Sequence, residues 1–219
     1  VESEEAFELL DWRRRIFELY RTVRMSPDPQ EGWWHWRRAR DELFVTHPQS
    51  PIPKEERHSF KGLHYFDYDE RARFFVDIVE VPPTDFEIGD SAGGAFRFTR
   101  FGRASFELSG EGSSLDVFWL DGYSGGIFVP FRDATSGKTT YGAARYLFDT
   151  AKGADLGGDE NRLVFDFNFA YQPSCSYDPK WVCPLAPPAN VLDLEVNAGE
   201  MQEKKEAAEA APFRDGQEH

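Results

Sequence analysis

The chain has 219 residues, with 39 acidic side chains against 25 basic ones and a formal charge of −14. Nucleic acid and anionic membrane surfaces both require a surplus of Lys and Arg, so neither is expected as a partner. Aromatic residues make up 16% of the chain, 20 of them Phe, which supplies core material enough to fold without a disulfide or a metal.

Residues 3–24 are predicted to form a helix. Ser3 is in position to cap it, Glu4 and Glu5 suit the positive end of the helix dipole, and Phe7, Leu10, Ile16, Phe17 and Tyr20 recur near helical spacing. The acids that precede its apolar residues do not match a secretory leader, and no run of apolar residues is long enough to span a bilayer; a cytoplasmic location is the expectation. A second helix is expected over 29–45. Asp28 is its cap, Pro29 occupies a position where a missing N–H costs nothing, and Glu31 completes a box-like start. Trp33, Trp36, Arg40, Leu43 and Phe44 line one face of it, and Pro48 ends it. Residues 1–59 are thus a helical lead-in.

From residue 60 the period changes to two. Candidate strands run over 63–68, 73–80, 95–101, 103–109, 114–121, 126–132, 143–149, 162–171 and 190–197, separated by turn chemistry such as Gly110-Glu111-Gly112 and Asp121-Gly122. Many short strands on short turns predict a mainly β fold over 60–199, an antiparallel barrel or folded-over sheet preceded by two helices. Prolines at 173, 179, 184, 187 and 188 mark 172–190 as a rigid loop. Residues 200–219 read as a charged, flexible tail.

Familiar catalytic motifs fail on context. Gly122-Tyr123-Ser124-Gly125-Gly126 has the spacing of a nucleophile elbow, but its flanks read as strands and the elbow needs a following helix, so a hairpin turn is favoured. Thr135-Ser136-Gly137-Lys138-Thr139-Thr140 lacks the leading glycine of a phosphate loop, since Arg132 stands there. Cys175 and Cys183, the two cysteines, are expected to lie close enough to bridge. Zinc would need two further ligands, and no spacing supports them. His47 is the histidine that would activate Cys175, although a structural helix-end role is favoured for it. No metal or cofactor is expected.

The segment 162–171 puts Phe165, Phe167, Phe169 and Tyr171 on one side and Val164, Asp166, Asn168 and Ala170 on the other. The aromatic row must be core, and the opposite face is either water or a polar-lined cavity. If the preceding strand neighbours it, Arg145 faces the same space as Asp166 and Asn168. These three, with Tyr141 or Asp133 at the rim, form the candidate ligand site. The competing reading is a solvated face or a structural ion pair, and it is the more common outcome.

Four blocks carry a resemblance: WRRARDELFVTHPQSPI (36–52), FKGLHYFDYD (60–69), FVPFRDATSGKTTYGAARYL (128–147) and DFNFAYQPSCSYDPKWVCPLAPPANVL (166–192). They resemble the bacterial and archaeal family catalogued as domain of unknown function 1684, over about residues 30–200. Gln172 stands where the family pattern has Asn. The resemblance implies one family domain and no established activity. It places Asp133, Thr135, Tyr141, Arg145, Asp166, Asn168, Tyr171, Cys175 and Cys183 within the signature blocks.

Three functions compete. A small-molecule-binding β domain with a polar-lined pocket ranks first. A hydrolase-type enzyme using Asp133, Asp166 or Cys175, with Arg145 as anion or oxyanion partner, ranks second. A protein that docks a partner through Trp33-Trp34-His35-Trp36 ranks third.

Overall fold

A computed structural model describes residues 2–202. Asp28 opens helix α2 (Pro29–Thr46) as its sequence demands: its carboxylate accepts the N–H groups of Gln30 at 2.8 Å and Glu31 at 3.5 Å. Helix α1 (Ser3–Met25) starts differently. Glu2 occupies the cap position and makes no side-chain bond, so Ser3 is already helical. The two helices pack as an antiparallel hairpin, with Trp12 beside Phe44 and His47 at its far end. At 23 residues α1 is longer than the 18 residues of α2. Its first turns overhang, leaving Phe7 and Leu10 exposed, and Leu19, Tyr20 and Val23 supply its buried face instead.

Trp33 and Trp36 are buried and seat α2 on the sheet, and Trp33 Nε1 donates to the carbonyl of Asn168 at 2.9 Å. Trp34 is 47% exposed with the Arg37 guanidinium 4.9 Å from its ring. Two of the three tryptophans of the supposed docking surface are therefore core, as expected where a broad aromatic face must be removed from water.

Strand β1 (His64–Tyr65) leads into β2 (Arg73–Gly89), β3 (Ala95–Leu108), β4 (Glu111–Leu120), β5 (Ile127–Phe131), β6 (Arg145–Asp149), β7 (Gly158–Asp159), β8 (Arg162–Asp166) and β9 (Glu200–Met201). Seven of them form one sheet in the order β6-β5-β4-β3-β2-β8-β7, every pair antiparallel, while β1 pairs with β9. The sheet folds over without closing into a barrel. Residues Arg73–Asp77 of β2 pair with β8 and Ile78–Gly89 with β3. Tyr146 and Tyr171 form an isolated antiparallel bridge across the fold.

Several strand boundaries differ from expectation for identifiable reasons. The segments 95–101 and 103–109 are one strand, with a register shift between Arg100 and Gly102. Gly102 permits a tight crossing, since a Cβ there would lie 2.4 Å from Ile78 Cγ2. Strand β2 runs past Pro82 and Pro83 because both sit in a bulge between Glu80 and Thr84, where no ladder donor is required. Residues 190–197 contribute one bridge, Val191 to Arg132, rather than a strand. Below the Phe118–Phe128 pair β4 and β5 splay apart, and the Asn190 side chain fills the opening. Its Nδ2 donates to Asp116 O at 3.0 Å and Pro130 O at 2.8 Å, and its Oδ1 accepts Asp116 N–H at 2.9 Å.

Strand β8 stops at Asp166 rather than running on to 171. Asp166 Oδ1 accepts both the Asn168 N–H at 3.0 Å and the Asn168 Nδ2 amide at 2.8 Å, which turns Phe167–Phe169 into a 3-10 coil. The alternation therefore ends, and both sides of the segment are buried: Asn168 Nδ2 donates to Asp69 O and its Oδ1 accepts Asp69 N–H. Asp166 Oδ2 lies 3.5 Å from Arg73 Nη1 without a hydrogen bond among the described residues.

Two outcomes follow. Asn190→Ala leaves buried backbone groups on both β4 and β5 unpaired and is expected to cost about 2–3 kcal/mol in urea unfolding. Asp166 is pushed up to about 6, chiefly by burial, against an ordinary value of 3.8. Its folded form binds the proton more tightly than the unfolded chain, so its stabilising contribution is complete below pH 3.8 and is lost as pH rises through 6. Stability of wild type minus that of Asp166→Asn should accordingly fall by roughly 1–3 kcal/mol between pH 4 and pH 7.5, and a difference independent of pH would refute the assignment.

Candidate functional site

Arg145 opens β6 at the sheet edge, yet it is only 1% exposed. An arginine out of water must spend its donors on protein groups. Nη2 meets Asp133 Oδ1 at 3.3 Å and Val196 O at 3.0 Å, Nη1 donates to Ala198 O, and the guanidinium carbon lies 4.9 Å from the Phe131 ring centre. Burial pulls the Arg145 pKa down, and Asp133 counteracts it. The other oxygen of Asp133 accepts Thr135 N–H, Thr135 Oγ1 and Val196 N–H. The proposed companionship of Arg145 with Asp166 or Asn168 is thus not what the fold provides. Strands β6 and β8 are separated by four strands in the sheet order, and the consecutive segments meet through the Tyr146–Tyr171 bridge and the Phe148–Phe165 ring contact. Arg145 and Asp133 do come together, as a buried structural pair that grips the chain at 196–198. Nη1 and Nη2 of Arg145 are committed in this way, while its buried Nε has no partner among the described residues.

Tyr141 turns to the cysteines instead, with its hydroxyl 3.8 Å from Cys175 Sγ. Cys175 and Cys183 are both free thiols, Cys175 partly exposed and Cys183 buried. His47 is remote from that pair: its Nε2 faces Asp11 at 3.2 Å and its Nδ1 accepts Gln49 N–H at 3.1 Å, which makes it a helix-end structural residue. No group of three or more His, Cys, Asp or Glu side chains among the described residues is placed to hold a metal ion.

The grip on 196–198 delivers the next residues to a second polar centre. Gly199 has φ of +82°, and a Cβ on it would lie 2.6 Å from the carbonyl oxygens of both Phe167 and Ala170. Passing that point, Glu200 enters β9 opposite Tyr65 and is fully buried. Its Oε2 accepts Arg40 Nη1 at 2.8 Å and Gln172 N–H at 3.2 Å, and its Oε1 accepts the Tyr177 hydroxyl. Arg40 also donates to Tyr65 Oη at 2.7 Å. Burial raises the Glu200 pKa against the pull of Arg40. Burial opposes the Arg40 charge, but Glu200 outweighs it and holds that guanidinium above its ordinary value.

Beside this centre opens a cleft of about 420 Å³. Gln172, Ser176, Tyr177 and Glu200 line one wall, and Phe60 and Leu63 give the other an apolar surface. Gln172 is 4% exposed. Among the described residues its side-chain amide has no hydrogen-bond partner, and neither has the buried Ser176 hydroxyl. Reasoning from the sequence missed this cleft because it assigned residue 200 to the tail. The usable signal was Gly199, an isolated glycine just before a change of composition that begins after residue 201.

The family model "Protein of unknown function (DUF1684)" matches residues 58–201. An uncharacterized protein of Haloarcula marismortui, whose structure was determined in solution by NMR, is 34% identical with a TM-score of 0.59; the match covers 81% of this chain and 96% of that one. No curated protein matches the chain. No helix among the described residues is long and apolar enough to cross a membrane. The blocks 60–69, 128–147 and 166–192 fall within the matched residues while 36–52 precedes them, and the chain belongs to the DUF1684 family of proteins of unknown function.

Proposed function

We propose that the protein is a small-molecule-binding module whose ligand occupies the cleft beside Glu200. The observation that carries this reading is the buried, unpartnered Ser176 hydroxyl, which lines that cleft together with Gln172. A buried donor or acceptor left unpaired costs about 1–3 kcal/mol, and a ligand or ordered water relieves that cost. The volume falls within the range of ordinary ligand pockets, about 300–1,000 Å³, and the mixture of an apolar wall with a few convergent polar groups is what such pockets contain.

The lining selects the ligand class. Glu56 and Glu200 contribute carboxylates, no Lys or Arg is among the lining residues, and Arg40 is already consumed by Glu200. An anion would enter against like charge on a chain of formal charge −14. The fitting ligand is a neutral molecule with an amide or hydroxyl head for Gln172 and Ser176 and a short apolar body for Phe60 and Leu63.

Native mass spectrometry of the purified chain, followed by a thermal-shift panel of neutral amides and polyols, identifies a binder. Gln172→Leu should weaken that binder about tenfold, the equivalent of one lost hydrogen bond of ~1.4 kcal/mol. The same substitution should leave the free protein about as stable as wild type, because the Gln172 amide makes no side-chain hydrogen bond among the described residues for it to lose. Unchanged affinity in Gln172→Leu, or a stability loss of several kcal/mol, would assign Gln172 to the scaffold and reject the cleft as the site.

A further inference from the structure

A groove of about 800 Å³ opens where α1, the β4–β5 turn, the 3-10 segment Thr150–Lys152 and the β7–β8 hairpin meet. It shares no lining residue with the cleft beside Glu200. Its walls are fixed to one another. Ile127 N–H donates to Thr150 Oγ1 at 2.7 Å, Arg24 Nη1 donates to Asp155 O at 2.6 Å, and Val164 N–H donates to Gly157 O at 2.9 Å. Gly126 makes the joint between the β4–β5 turn and the 3-10 segment possible, since a Cβ on it would lie 2.7 Å from Ala151 N. The groove is built before anything enters it, so little of a ligand's binding energy goes into ordering it.

Trp119 is 46% exposed on the wall of this groove, and Phe17 is 49% exposed. A Cβ on Gly125 would lie 2.6 Å from Trp119 Cζ2 and 3.3 Å from Cε2 and Cη2, so the glycine backbone lies directly against the indole. The ring is thereby held in place while nearly half of the residue stays open to water, which makes it a stacking platform. Hydrogen-bonding groups of both kinds are free around it. Gly125 and Gly126 are buried, and neither N–H donates a hydrogen bond among the described residues. Glu160 supplies an acceptor, and its carboxylate is outside the ion pairs that engage its neighbours, Arg24 with Asp155 and Arg162 with Asp159. Glu160 also sits at φ of +42°, a strained conformation for a residue with a side chain and one that collects at binding sites.

The charges select the ligand. Asp155, Asp159 and Glu160 face Arg24 and Arg162, and each guanidinium is already beside a carboxylate: Arg24 Nη1 is 3.5 Å from Asp155 Oδ2, and Arg162 Nε donates to Asp159 Oδ1 at 2.8 Å. An anion would meet net repulsion there. A wholly apolar molecule would leave the two glycine N–H groups and Glu160 without partners. A sugar answers both demands. Each of its hydroxyls donates one hydrogen bond and accepts two, so it can take a glycine N–H and give its own proton to Glu160. Its C–H face, slightly positive, is attracted to the negative face of the indole. Ser124 adds a hydroxyl but no nucleophile, because no histidine lines the groove to act as its base.

We propose that this groove binds a short neutral oligosaccharide, with one ring stacked on Trp119 and its hydroxyls shared among Gly125, Gly126 and Glu160. The volume lies in the upper part of the range of ordinary ligand pockets, about 300–1,000 Å³, which leaves room for more than one sugar ring. The proposal does not rest on the cleft beside Glu200.

The probes are short cello-, malto-, xylo-, manno- and chitin-type oligosaccharides, with sialylated and sulfated sugars as the anionic comparison. Each is titrated into the isotope-labelled wild-type chain and followed by NMR. A neutral member should shift the Trp119 indole N–H and the Gly125 and Gly126 amides with one common affinity, and saturation transferred from the protein should reach the C–H protons of the sugar. Trp119→Ala should weaken that binding about tenfold, while Trp119→Phe should retain most of it because a ring face remains. Trp34→Ala, as exposed as Trp119 but outside the groove, should leave the affinity unchanged. Gln172→Leu should also leave it unchanged, which separates this site from the cleft beside Glu200. No response of Trp119 to any neutral sugar, a response to the anionic sugars alone, or an unchanged affinity in Trp119→Ala would each overturn the proposal. The titrations of wild type need no variant, so a substitution that unfolds the chain leaves the test intact.

Discussion

A carboxylate fully removed from water at residue 200 obliges the surrounding chain to supply its partners. Leaving such a charge unpaired would cost far more than any single contact gains. Arg40 comes from α2, the Gln172 N–H from the bend after the 3-10 coil, and the Tyr177 hydroxyl from the proline-rich loop. Tyr65, opposite Glu200 in the β1–β9 pair, shares Arg40. Helix α2 and the stretch 172–177 therefore converge on one anion, with β1 sharing its Arg40. The pair itself is a weak source of net stability, but removing either member would strand the other at a cost of about 3–5 kcal/mol, and that asymmetry fixes how helix, loop and last strand sit together.

The same logic repeats one step upstream. Asp133 and Arg145 hold residues 196–198 by their backbone groups, so that Gly199 can make its close passage and present Glu200. Asp116 is treated alike, with Arg103 at 2.7 Å and Arg100 at 3.5 Å, while its backbone is matched to Asn190. The aromatic rows that fill the core are not directional. These buried polar contacts are, and they select one register for segments that carry no regular ladder of their own.

What the sequence discloses follows the range of the interaction that decides each feature. The Asp28-Pro29 start of α2, the two helices and the antiparallel sheet are set by near neighbours and by a period of two, and they are legible. The break at Asp166 is also local, but it reads as strand because four alternating aromatics mask the Asp-x-Asn capping turn that ends it. Arg145 was correctly identified as an arginine that must be paired, while its partner was misassigned. Adjacency in sequence pointed to 162–171, but the sheet places β6 at one edge and β8 near the other. Glu200 was hidden for a different reason. It stands next to a charged, Ala-rich stretch, and only its long-range partners distinguish it from that composition.

The loop from 172 to 184 shows why functional chemistry collects where the sequence pattern is weakest. Its prolines remove backbone donors, so its shape is set by short turns and by side-chain ties such as Tyr177 to Glu200 and Cys183 to Ser91. Within the single turn Ser174–Ser176, alternate side chains go opposite ways. Cys175 faces Tyr141, while Ser176 and Tyr177 line the cleft.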